Sequence, residues 1–249
     1  MSFSDLLPKP AVIAASLERR RLRSTLRGIY RKFLAYTMLH EGKYINNLEL
    51  CFEYKGIPGC VVECGVWRGG MSAGMAEVLG PERNYFLFDS FEGLPPARED
   101  LDGTAAVVWQ NKTDSPTYYN NCTAAEEEAA AAMKLSGATS FSLIKGWFNE
   151  TLPRFKPPSE IAVLRLDGDW YDSTRVCLEH LYPHVAPGGI VIIDDYYNWD
   201  GCARAVNEFL AAVASTNAVP RVRQFRDRAA YLVKPDPVKS AGNGSARLS

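Results

Sequence analysis

The sequence from Ile161 to Tyr197 reads IAVLRLDGDWYDSTRVCLEHLYPHVAPGGIVIIDDYY. Its two mainly aliphatic runs, Ile161–Leu166 and Ile190–Ile193, are typical of buried strands in a parallel sheet. Asp172 is placed to cap a helix between them, and Pro183 would end that helix. A strand–helix–strand unit makes the two strands parallel neighbours, with their carboxyl ends on the same side of the sheet. The segment therefore predicts an α/β fold built on a parallel sheet.

Both runs end in carboxylates: Asp167 and Asp169 follow the first run, and Asp194 and Asp195 follow the second. Ligands of open α/β sheets bind at this edge. The adjacent charges of Asp194 and Asp195 would repel each other at the end of a buried strand unless a cation joins them. A hard divalent cation bound by oxygen relieves that repulsion, and three histidines without a C-x-x-C motif disfavour a soft metal. The alternative is that each aspartate is a solvated loop residue or a helix cap.

The composition limits the classes of protein to consider. At 249 residues the chain is long enough for one domain with a sizeable core, and a formal net charge of −1 gives no general reason to expect nucleic acid. Six scattered cysteines, several of them in apolar runs, indicate reduced core residues rather than disulfides. No apolar run reaches the roughly 18 residues of a membrane span, and no signal-peptide pattern opens the chain. We therefore expect a cytoplasmic protein with no membrane or nucleic-acid partner.

Residues 1–57 are predicted to form a helical extension of the main domain. The segment Ser16–Leu39 carries an apolar stripe opposite a face that holds six arginines. A basic amphipathic helix can indicate a membrane or nucleic-acid surface, but packing on the domain or on a second subunit is commoner. A second short helix is expected over Tyr44–Tyr54. Residues 58–234 would form the main domain, and residues 235–249, rich in Pro, Gly, Ser and Ala, a flexible tail.

The start of the main domain has the pattern of a nucleoside-binding site. Cys60–Cys64 is a predicted strand, and a glycine-rich turn over 65–70 leads from it into a helix through Ser72–Leu79. This pattern places backbone N–H groups and a helix N-terminus at the carboxyl end of the strand. The G-x-x-x-G-G spacing differs from dinucleotide and nucleoside-triphosphate loops. The next strand, Tyr85–Phe88, ends at Asp89, which is well placed to accept hydrogen bonds from a ribose or, alternatively, to cap a turn.

Residues 91–122 are predicted to form a long loop, and loops of this length in compact domains are often lids. Thr123 and Glu126 then match a capping box, in which a threonine and an acidic side chain three residues later satisfy free N–H groups. This pattern predicts a helix over residues 124–135, with Thr123 as its N-cap.

The last third of the chain is predicted to complete the sheet. A strand over Phe141–Lys145 is followed by Trp147 and Phe148, which would stack on an adenine or, alternatively, pack in the core. An aromatic loop and a further helix follow the second carboxylate pair. Arg221–Phe225 and Ala229–Val233 flank a short polar segment that begins at Arg226, a pattern that predicts a hairpin at the edge of the sheet.

Five motifs resemble, in order, those of the macrocin O-methyltransferase family: VECGVWRGG (62–70), FDSFEGLP (88–95), KGWFNETLP (145–153), LRLDGDWYDST (164–174) and IIDDY (192–196). The resemblance extends from about Tyr36 to Asn207. It implies a Rossmann-like class I methyltransferase fold: a doubly wound, mostly parallel sheet with a C-terminal antiparallel hairpin and an N-terminal helical lid. It also implies a homo-oligomeric enzyme that uses S-adenosylmethionine and Mg²⁺ to methylate a sugar hydroxyl of a glycosylated antibiotic.

The resemblance implies roles for particular residues as well. Mg²⁺ would be held by Asp167, Asp194 and Asp195, and Asp169 would act as the general base beside Asp167. The methyl donor would be surrounded by Met38, Glu63, Gly65, Val66, Trp67, Arg68, Ser72, Asp89, Ser90, Gly146, Trp147, Phe148 and Asp167. These roles suit the chemistry, because a sugar hydroxyl is a poor nucleophile until a metal favours its ionisation and a carboxylate takes the proton.

Three alternatives remain open from the sequence. A catechol or other phenolic methyltransferase would use the same metal chemistry on a flat acceptor, and only the segments 20–50 and 97–122 would distinguish it. A metal-dependent hydrolase would use the carboxylates but leave the glycine turn and Asp89 without a role. A non-catalytic binding subunit would keep the sheet without the chemistry, which the intact Asp167, Asp194 and Asp195 disfavour.

Overall fold

Seven strands form one sheet in the computed structural model, which describes residues 10–214, 219–226 and 229–236. The strands are β1 (Cys60–Cys64), β2 (Asn84–Asp89), β3 (Ser140–Lys145), β4 (Ile161–Leu166), β5 (Val185–Ile193), β6 (Arg223–Phe225) and β7 (Ala229–Val233). They lie in the order β3-β2-β1-β4-β5-β7-β6. The first five are parallel, and β7 pairs antiparallel with both β5 and β6. The predicted mostly parallel sheet with a C-terminal antiparallel hairpin is confirmed.

Helices cover both faces of this sheet. They are α1 (Pro10–Lys32), α2 (Glu41–Glu53), α3 (Gly70–Leu79), α4 (Glu99–Asn111), α5 (Glu126–Leu135), α6 (Phe148–Thr151), α7 (Tyr171–Leu181) and α8 (Asp200–Ala214). Because successive side chains of a strand point to opposite faces, Val61 and Val163 belong to one hydrophobic core and Val62 and Leu164 to another. The first core includes side chains of α1, α2, α3 and α5, and the second includes side chains of α7 and α8. The expected doubly wound, Rossmann-like architecture is therefore confirmed.

The carboxyl ends of β1 and β4 flank the point where the strand order reverses. Backbone hydrogen bonds continue past the strand ends: Asp167 N donates to Cys64 O at 2.8 Å, and Asp194 N donates to Leu166 O at 2.9 Å. Gly65, with φ of +86°, approaches so closely that a Cβ there would clash with the carbonyl oxygen of Asp167. This close packing brings the glycine turn and the carboxylates to one crevice, where open α/β folds bind their ligands.

The prediction of an uninterrupted loop over residues 91–122 is wrong, because α4 lies within this segment. Gly103 has φ of +80° and breaks the regular helix, which obscures its periodicity in the sequence. Asp102 and Ala106 form the buried side of α4, which packs on α8. Tertiary packing of this kind stabilises helices whose local pattern is weak.

The predicted capping box is also displaced. Helix α5 begins at Glu126 after the N-cap residue Ala125, and Glu128 accepts a hydrogen bond from the backbone N–H of Ala125 at 3.2 Å. Thr123 instead donates its hydroxyl to Glu92 O at 3.4 Å, so it connects the residues before α5 to the loop after β2.

The N-terminal helices pack on the main domain, which is the commoner of the two arrangements expected for the basic segment. Leu26 and Phe33 of α1 are buried in the first core. Glu49 of α2 is buried and binds Arg23 of α1 and Arg226 of the hairpin turn, so part of the predicted arginine face points inward. No helix among the described residues is long and apolar enough to cross a membrane.

The remaining predictions concern the two ends of the chain. The helix predicted over Ser16–Leu39 ends earlier, at Lys32, and a short turn of 3-10 helix follows at Leu34–Tyr36. The predicted hairpin is found, with β6 shorter by two residues than expected (223–225 instead of 221–225). From residue 237 onward, the predicted flexible tail lies outside the described residues.

Candidate active site

A cavity of about 950 Å³ opens at the carboxyl ends of the parallel strands. Its walls come from the start of α2, the loops after β1 to β5, α4 and the first turns of α7. This volume lies at the upper end of the range of roughly 300–1,000 Å³ for small-molecule sites. The cavity is therefore large enough to hold a donor and an acceptor together.

Three carboxylates converge at one side of this cavity. Asp167, Asp194 and Asp195 each offer an oxygen atom, and the three atoms lie within 4.8 Å of one another. Asp194 and Asp195 are each only 5% exposed, whereas the side chain of Asp167 is 28% exposed and lines the cavity. The structure thus brings together the three residues that the sequence predicted as metal ligands.

A buried arginine, Arg165, holds two of these carboxylates in place. Its guanidinium, which has no exposed surface, donates to Asp167 Oδ2 at 2.8 Å and to Asp194 Oδ1 at 2.5 Å. It also donates to Glu63 Oε1 at 2.6 Å, because Glu63 and Arg165 are register partners on β1 and β4. Burial raises the pKa of Glu63 to about 7 despite the opposing charge of Arg165. Arg165 was not predicted from the sequence. The signal was nevertheless present, because Glu63 and Arg165 are charged residues of opposite sign in two otherwise apolar strands.

Lys43, in the first turn of α2, was also missed. Its ammonium group pairs with Asp194 Oδ2 and lines the cavity. Although burial disfavours the charged form, Asp194, Asp195 and Asp167 raise the pKa of Lys43 above its ordinary value. Burial likewise opposes ionisation of Asp194, but Arg165 and Lys43 hold its pKa at about 2. Lys43 therefore links the N-terminal helices to the carboxylates, and only the tertiary fold reveals this.

Asp169 lies next to the three carboxylates in a left-handed backbone conformation, with φ of +56°. Its backbone N–H donates to Asp195 Oδ2 at 3.2 Å, and its Oδ1 accepts a hydrogen bond from Trp199 Nε1 at 2.7 Å. Burial, and next the charge of Asp167, raise the pKa of Asp169 to about 7. Among the described residues its Oδ2 atom has no hydrogen-bond partner, and the residue lines the cavity.

The helix cap expected from Asp169 or Asp172 comes from elsewhere. Helix α7 begins at Tyr171, whose N–H donates to Asp102 Oδ1 at 2.7 Å. The second oxygen of Asp102 accepts from Arg98 N at 2.8 Å, so this buried carboxylate ties α4 to the start of α7. The prediction that Asp172 caps this helix is wrong, and the alternative role of Asp169 as a cap is not found either, because a side chain from a distant helix occupies the position.

Replacing Asp102 with alanine is expected to lower the free energy of unfolding by about 1–2 kcal/mol, because α7 loses its N-terminal acceptor. Urea denaturation at constant m-value measures this change. The exposed neighbour Asp100 is the matched control, and Asp100→Ala should leave the stability almost unchanged. Equal stability of Asp102→Ala and the parent protein would contradict the assignment of this cap.

Nine of the thirteen residues predicted around the methyl donor line the cavity: Met38, Gly65, Trp67, Asp89, Ser90, Gly146, Trp147, Phe148 and Asp167. The other four do not. Glu63 and Ser72 hydrogen-bond to each other below the cavity, and Arg68 pairs with Glu128 and lies over the Trp67 ring. Val66 contributes its backbone N–H to the turn. These four residues support the cavity wall rather than form it.

Asp89 organises the glycine turn. Its Oδ2 accepts hydrogen bonds from Val66 N at 2.7 Å and from Trp67 N at 2.8 Å, and its Oδ1 accepts one from Phe91 N at 2.7 Å. An ionised carboxylate has about four acceptor positions, so one remains for a ligand hydroxyl. The turn-capping alternative is thus confirmed, and ribose binding stays a prediction.

The fold and the cavity place a glycine turn beside a cluster of carboxylate oxygens at the ligand-binding edge of the sheet, an arrangement typical of α/β enzymes that bind a nucleoside. Residues 10–226 match the family model described as Macrocin-O-methyltransferase (TylF). The chain therefore belongs to this family and is an O-methyltransferase. This assignment favours methyl transfer over the hydrolase and non-catalytic alternatives.

Two relatives support the family assignment. The chain is 39% identical over 186 residues to the 8-demethyl-8-(2,3-dimethoxy-alpha-L-rhamnosyl)-tetracenomycin-C 4'-O-methyltransferase of Streptomyces olivaceus, a match that covers 71% of this chain and 68% of the relative. It is 35% identical over 187 residues to the mycinamicin III 3''-O-methyltransferase of Micromonospora griseorubida, covering 71% and 70% of the two chains.

Among solved structures, the O-methyltransferase NovP is 30% identical with a TM-score of 0.64, over 80% of this chain and 82% of that one. The calicheamicin methyltransferase CalS11 is 20% identical with a TM-score of 0.58, over 92% and 94%, and it shows the similarity of fold alone.

Proposed function

We propose that this protein transfers the methyl group of S-adenosylmethionine to a sugar hydroxyl of a glycosylated small molecule, with Mg²⁺ held by Asp167, Asp194 and Asp195. The observation that carries the proposal is the cluster of three carboxylates beside Asp169, at the crevice that also contains the glycine turn. The names of the relatives support the acceptor class, because they specify O-methylation of a rhamnosyl-tetracenomycin and of mycinamicin III.

The three carboxylates fit a hard divalent cation. All the donors are oxygen atoms, which Mg²⁺ prefers, and they already converge. Arg165 and Lys43 both pair with Asp194, whereas Asp195 forms no ion pair among the described residues. Burial, followed by the charges of Asp169, Asp167 and Asp194, raises the pKa of Asp195 well above its ordinary value. A further cation at this point would relieve that repulsion.

When bound, Mg²⁺ would act as a Lewis acid that favours ionisation of the acceptor hydroxyl. The proton of that hydroxyl passes to Asp169 Oδ2, because Oδ1 is occupied by Trp199 Nε1. Because burial raises the pKa of the Asp169 carboxyl, this group holds an accepted proton better than an exposed aspartate would. Asp169 is thus the general base of the proposed mechanism.

The residues after β1, β2 and β3 bind and align the methyl donor. S-adenosylmethionine supplies a methyl group that its sulfonium charge already activates, so alignment of the reacting atoms is the main remaining requirement. Asp89 offers its free acceptor position to the ribose, and Trp147 and Phe148 offer aromatic surface to the adenine.

Calorimetry is expected to detect binding of S-adenosylhomocysteine at about one molecule per chain. Asp89→Ala should weaken this binding roughly 10- to 100-fold, because a charge-assisted hydrogen bond and the turn that it holds are lost. Glu92→Ala, at an exposed position just after the same strand, is the control and should bind like the parent protein. Unchanged affinity in Asp89→Ala would remove Asp89 from the cofactor site.

The acceptor class is tested by turnover. The enzyme, Mg²⁺ and methyl-labelled S-adenosylmethionine are incubated with a panel of unmethylated glycosides and, in parallel, with a panel of catechols. Label on at least one glycoside and on no catechol is the expected result. Label on catechols alone would favour the phenolic alternative, and binding of the donor without transfer to either panel would contradict the proposed function.

We further propose that the chain forms a homo-oligomer of two or more subunits and acts in the cytoplasm, with the N-terminal helices near the interface or the lid of the site. The cysteines support a reducing compartment, since all six are unpaired and five are buried. Light scattering at micromolar concentration is expected to give at least twice the chain mass. A species of 27.6 kDa would contradict the oligomer.

A further inference from the structure

Three tryptophans meet at the wall of the cavity next to Asp169. Trp109 comes from α4, Trp170 immediately precedes α7, and Trp199 immediately precedes α8. The centroids of their rings are 5.2–6.1 Å apart. Trp170 is buried and donates its Nε1 to Pro95 O at 2.9 Å, whereas Trp109 and Trp199 line the cavity. Two indole rings are therefore presented to a ligand, and a third supports them from behind.

These rings lie on the acceptor side of the cavity. Most residues proposed for the methyl donor follow β1, β2 and β3, whereas Trp170 and Trp199 lie in the segments that follow β4 and β5. Trp109 belongs to α4, after β2, but its ring packs against those of Trp170 and Trp199. Trp199 is one hydrogen bond from the proposed base, since its Nε1 lies 2.7 Å from Asp169 Oδ1. A molecule whose hydroxyl reaches Asp169 must therefore place the ring that carries this hydroxyl close to the indoles.

The angle between the two exposed indoles indicates the shape of the ring that fits there. The planes of Trp109 and Trp199 are inclined by 66° with centroids 5.9 Å apart, so they form a corner rather than a parallel slot. A flat aromatic acceptor can lie along only one wall of such a corner. A saturated ring in a chair form presents C–H groups in more than one direction and can contact both walls. The negative faces of the indoles attract these weakly positive hydrogens.

The wall that carries Trp109 is fixed by specific contacts. Gln110, the next residue, donates to Pro95 O at 2.9 Å and to Asn121 Oδ1 at 3.0 Å. Residues 119–122 all have positive φ values between 48° and 61°. Asn120 and Asn121 adopt this conformation readily, whereas it costs Tyr119 and Cys122 roughly 1–2 kcal/mol each. Strain of this kind is typical of functional sites, where the surrounding structure holds it. The corner is therefore formed before the acceptor binds.

We propose that Trp109 and Trp199 form the acceptor subsite of this enzyme, and that it receives the saturated sugar ring carrying the reacting hydroxyl through that ring's C–H groups. This inference rests on the proposed function and specifies the chemistry of its acceptor. Trp109 determines specificity for the ring. Trp199 is in addition a positioning residue, because its N–H holds Asp169.

Two substitutions of Trp109 distinguish the contribution of its aromatic ring to acceptor binding from the contribution of its apolar volume. Trp109→Leu removes the ring face and should raise the KM for the glycoside that the parent enzyme methylates roughly tenfold, whereas Trp109→Phe should change it about twofold at most. The affinity for S-adenosylhomocysteine should stay unchanged in both variants. Val108→Ala is the matched control, since Val108 is the neighbouring residue on α4 and is 57% exposed. Thermal unfolding verifies that each variant is folded.

Trp199→Phe tests the positioning role, because it keeps an apolar ring and removes the N–H donor. It should lower kcat by roughly tenfold while the KM for the acceptor changes little, a split that general loss of structure would not produce.

An active parent enzyme whose acceptor KM is the same in Trp109→Leu and Trp109→Phe would overturn this inference and leave the proposed function intact. Unchanged kcat in Trp199→Phe would overturn the positioning role. A parent enzyme that binds S-adenosylhomocysteine but methylates no glycoside would overturn the proposed function and, with it, the inference.

Discussion

Removal of divalent cations with EDTA is expected to abolish methyl transfer, and addition of Mg²⁺ is expected to restore it. The reason is the convergence of three carboxylate oxygens within 4.8 Å, with Asp195 lacking an ion pair among the described residues. Mn²⁺ or Co²⁺ should substitute at least in part, because a site with only oxygen ligands discriminates weakly among such ions. Initial rates measured across a titration of each metal provide the test.

Replacement of the proposed metal ligand Asp195 can be compared with replacement of an exposed aspartate. Asp195→Asn should raise the Mg²⁺ concentration needed for half-maximal rate by at least roughly tenfold, because an anionic ligand is lost. The exposed Asp100, whose carboxylate pairs with Arg98, is the control, and Asp100→Asn should behave like the parent enzyme. Full turnover in EDTA after exhaustive dialysis would contradict a role for any metal.

The second large effect is expected at Asp169. Asp169→Asn should lower kcat by roughly 10²- to 10⁴-fold, because an amide cannot take the proton of the acceptor hydroxyl. The asparagine oxygen can still accept the hydrogen bond from Trp199 Nε1, so the local geometry should be retained. Stopped-time assays at saturating substrate give kcat, and calorimetry gives the affinities for S-adenosylhomocysteine and Mg²⁺.

Those affinities distinguish two roles for Asp169. As a general base, Asp169 can be replaced with little change in either affinity. If Asp169 is an additional metal ligand, Asp169→Asn should raise the Mg²⁺ concentration needed for half-maximal rate. A variant with near-normal kcat would remove Asp169 from the mechanism and leave proton removal to solvent.

The sequence was sufficient to predict the centre of the fold and the carboxylate cluster. The aliphatic strands β4 and β5 both end in aspartates, and the rule that parallel neighbours share one carboxyl edge placed Asp167, Asp194 and Asp195 together. The glycine turn was similarly informative, because Gly65 is needed for the close approach to Asp167. These features depend on residues close in sequence or on a general rule of topology.

The features that the sequence did not reveal depend on contacts between distant segments. Lys43 reaches Asp194 from the N-terminal helices, and Asp102 reaches the start of α7 from α4. No local pattern encodes such contacts. Helix α4 itself was missed because Gly103 interrupts its periodicity. Its stability comes from packing on α8, which cannot be recognised from the local sequence.

The proposed role of Asp167, Asp169, Asp194 and Asp195 is to direct methyl transfer to the oxygen of a sugar hydroxyl. It is tested most directly by a single turnover with S-adenosylmethionine labelled in the methyl group, Mg²⁺ and a glycoside with free sugar hydroxyls, followed by NMR to locate the label. We expect the parent enzyme to place one labelled methyl group on a sugar oxygen, and Asp169→Asn to place almost none in the same time. A labelled methyl group on a phenol, nitrogen or carbon of the aglycone, with the sugar unlabelled, would contradict it.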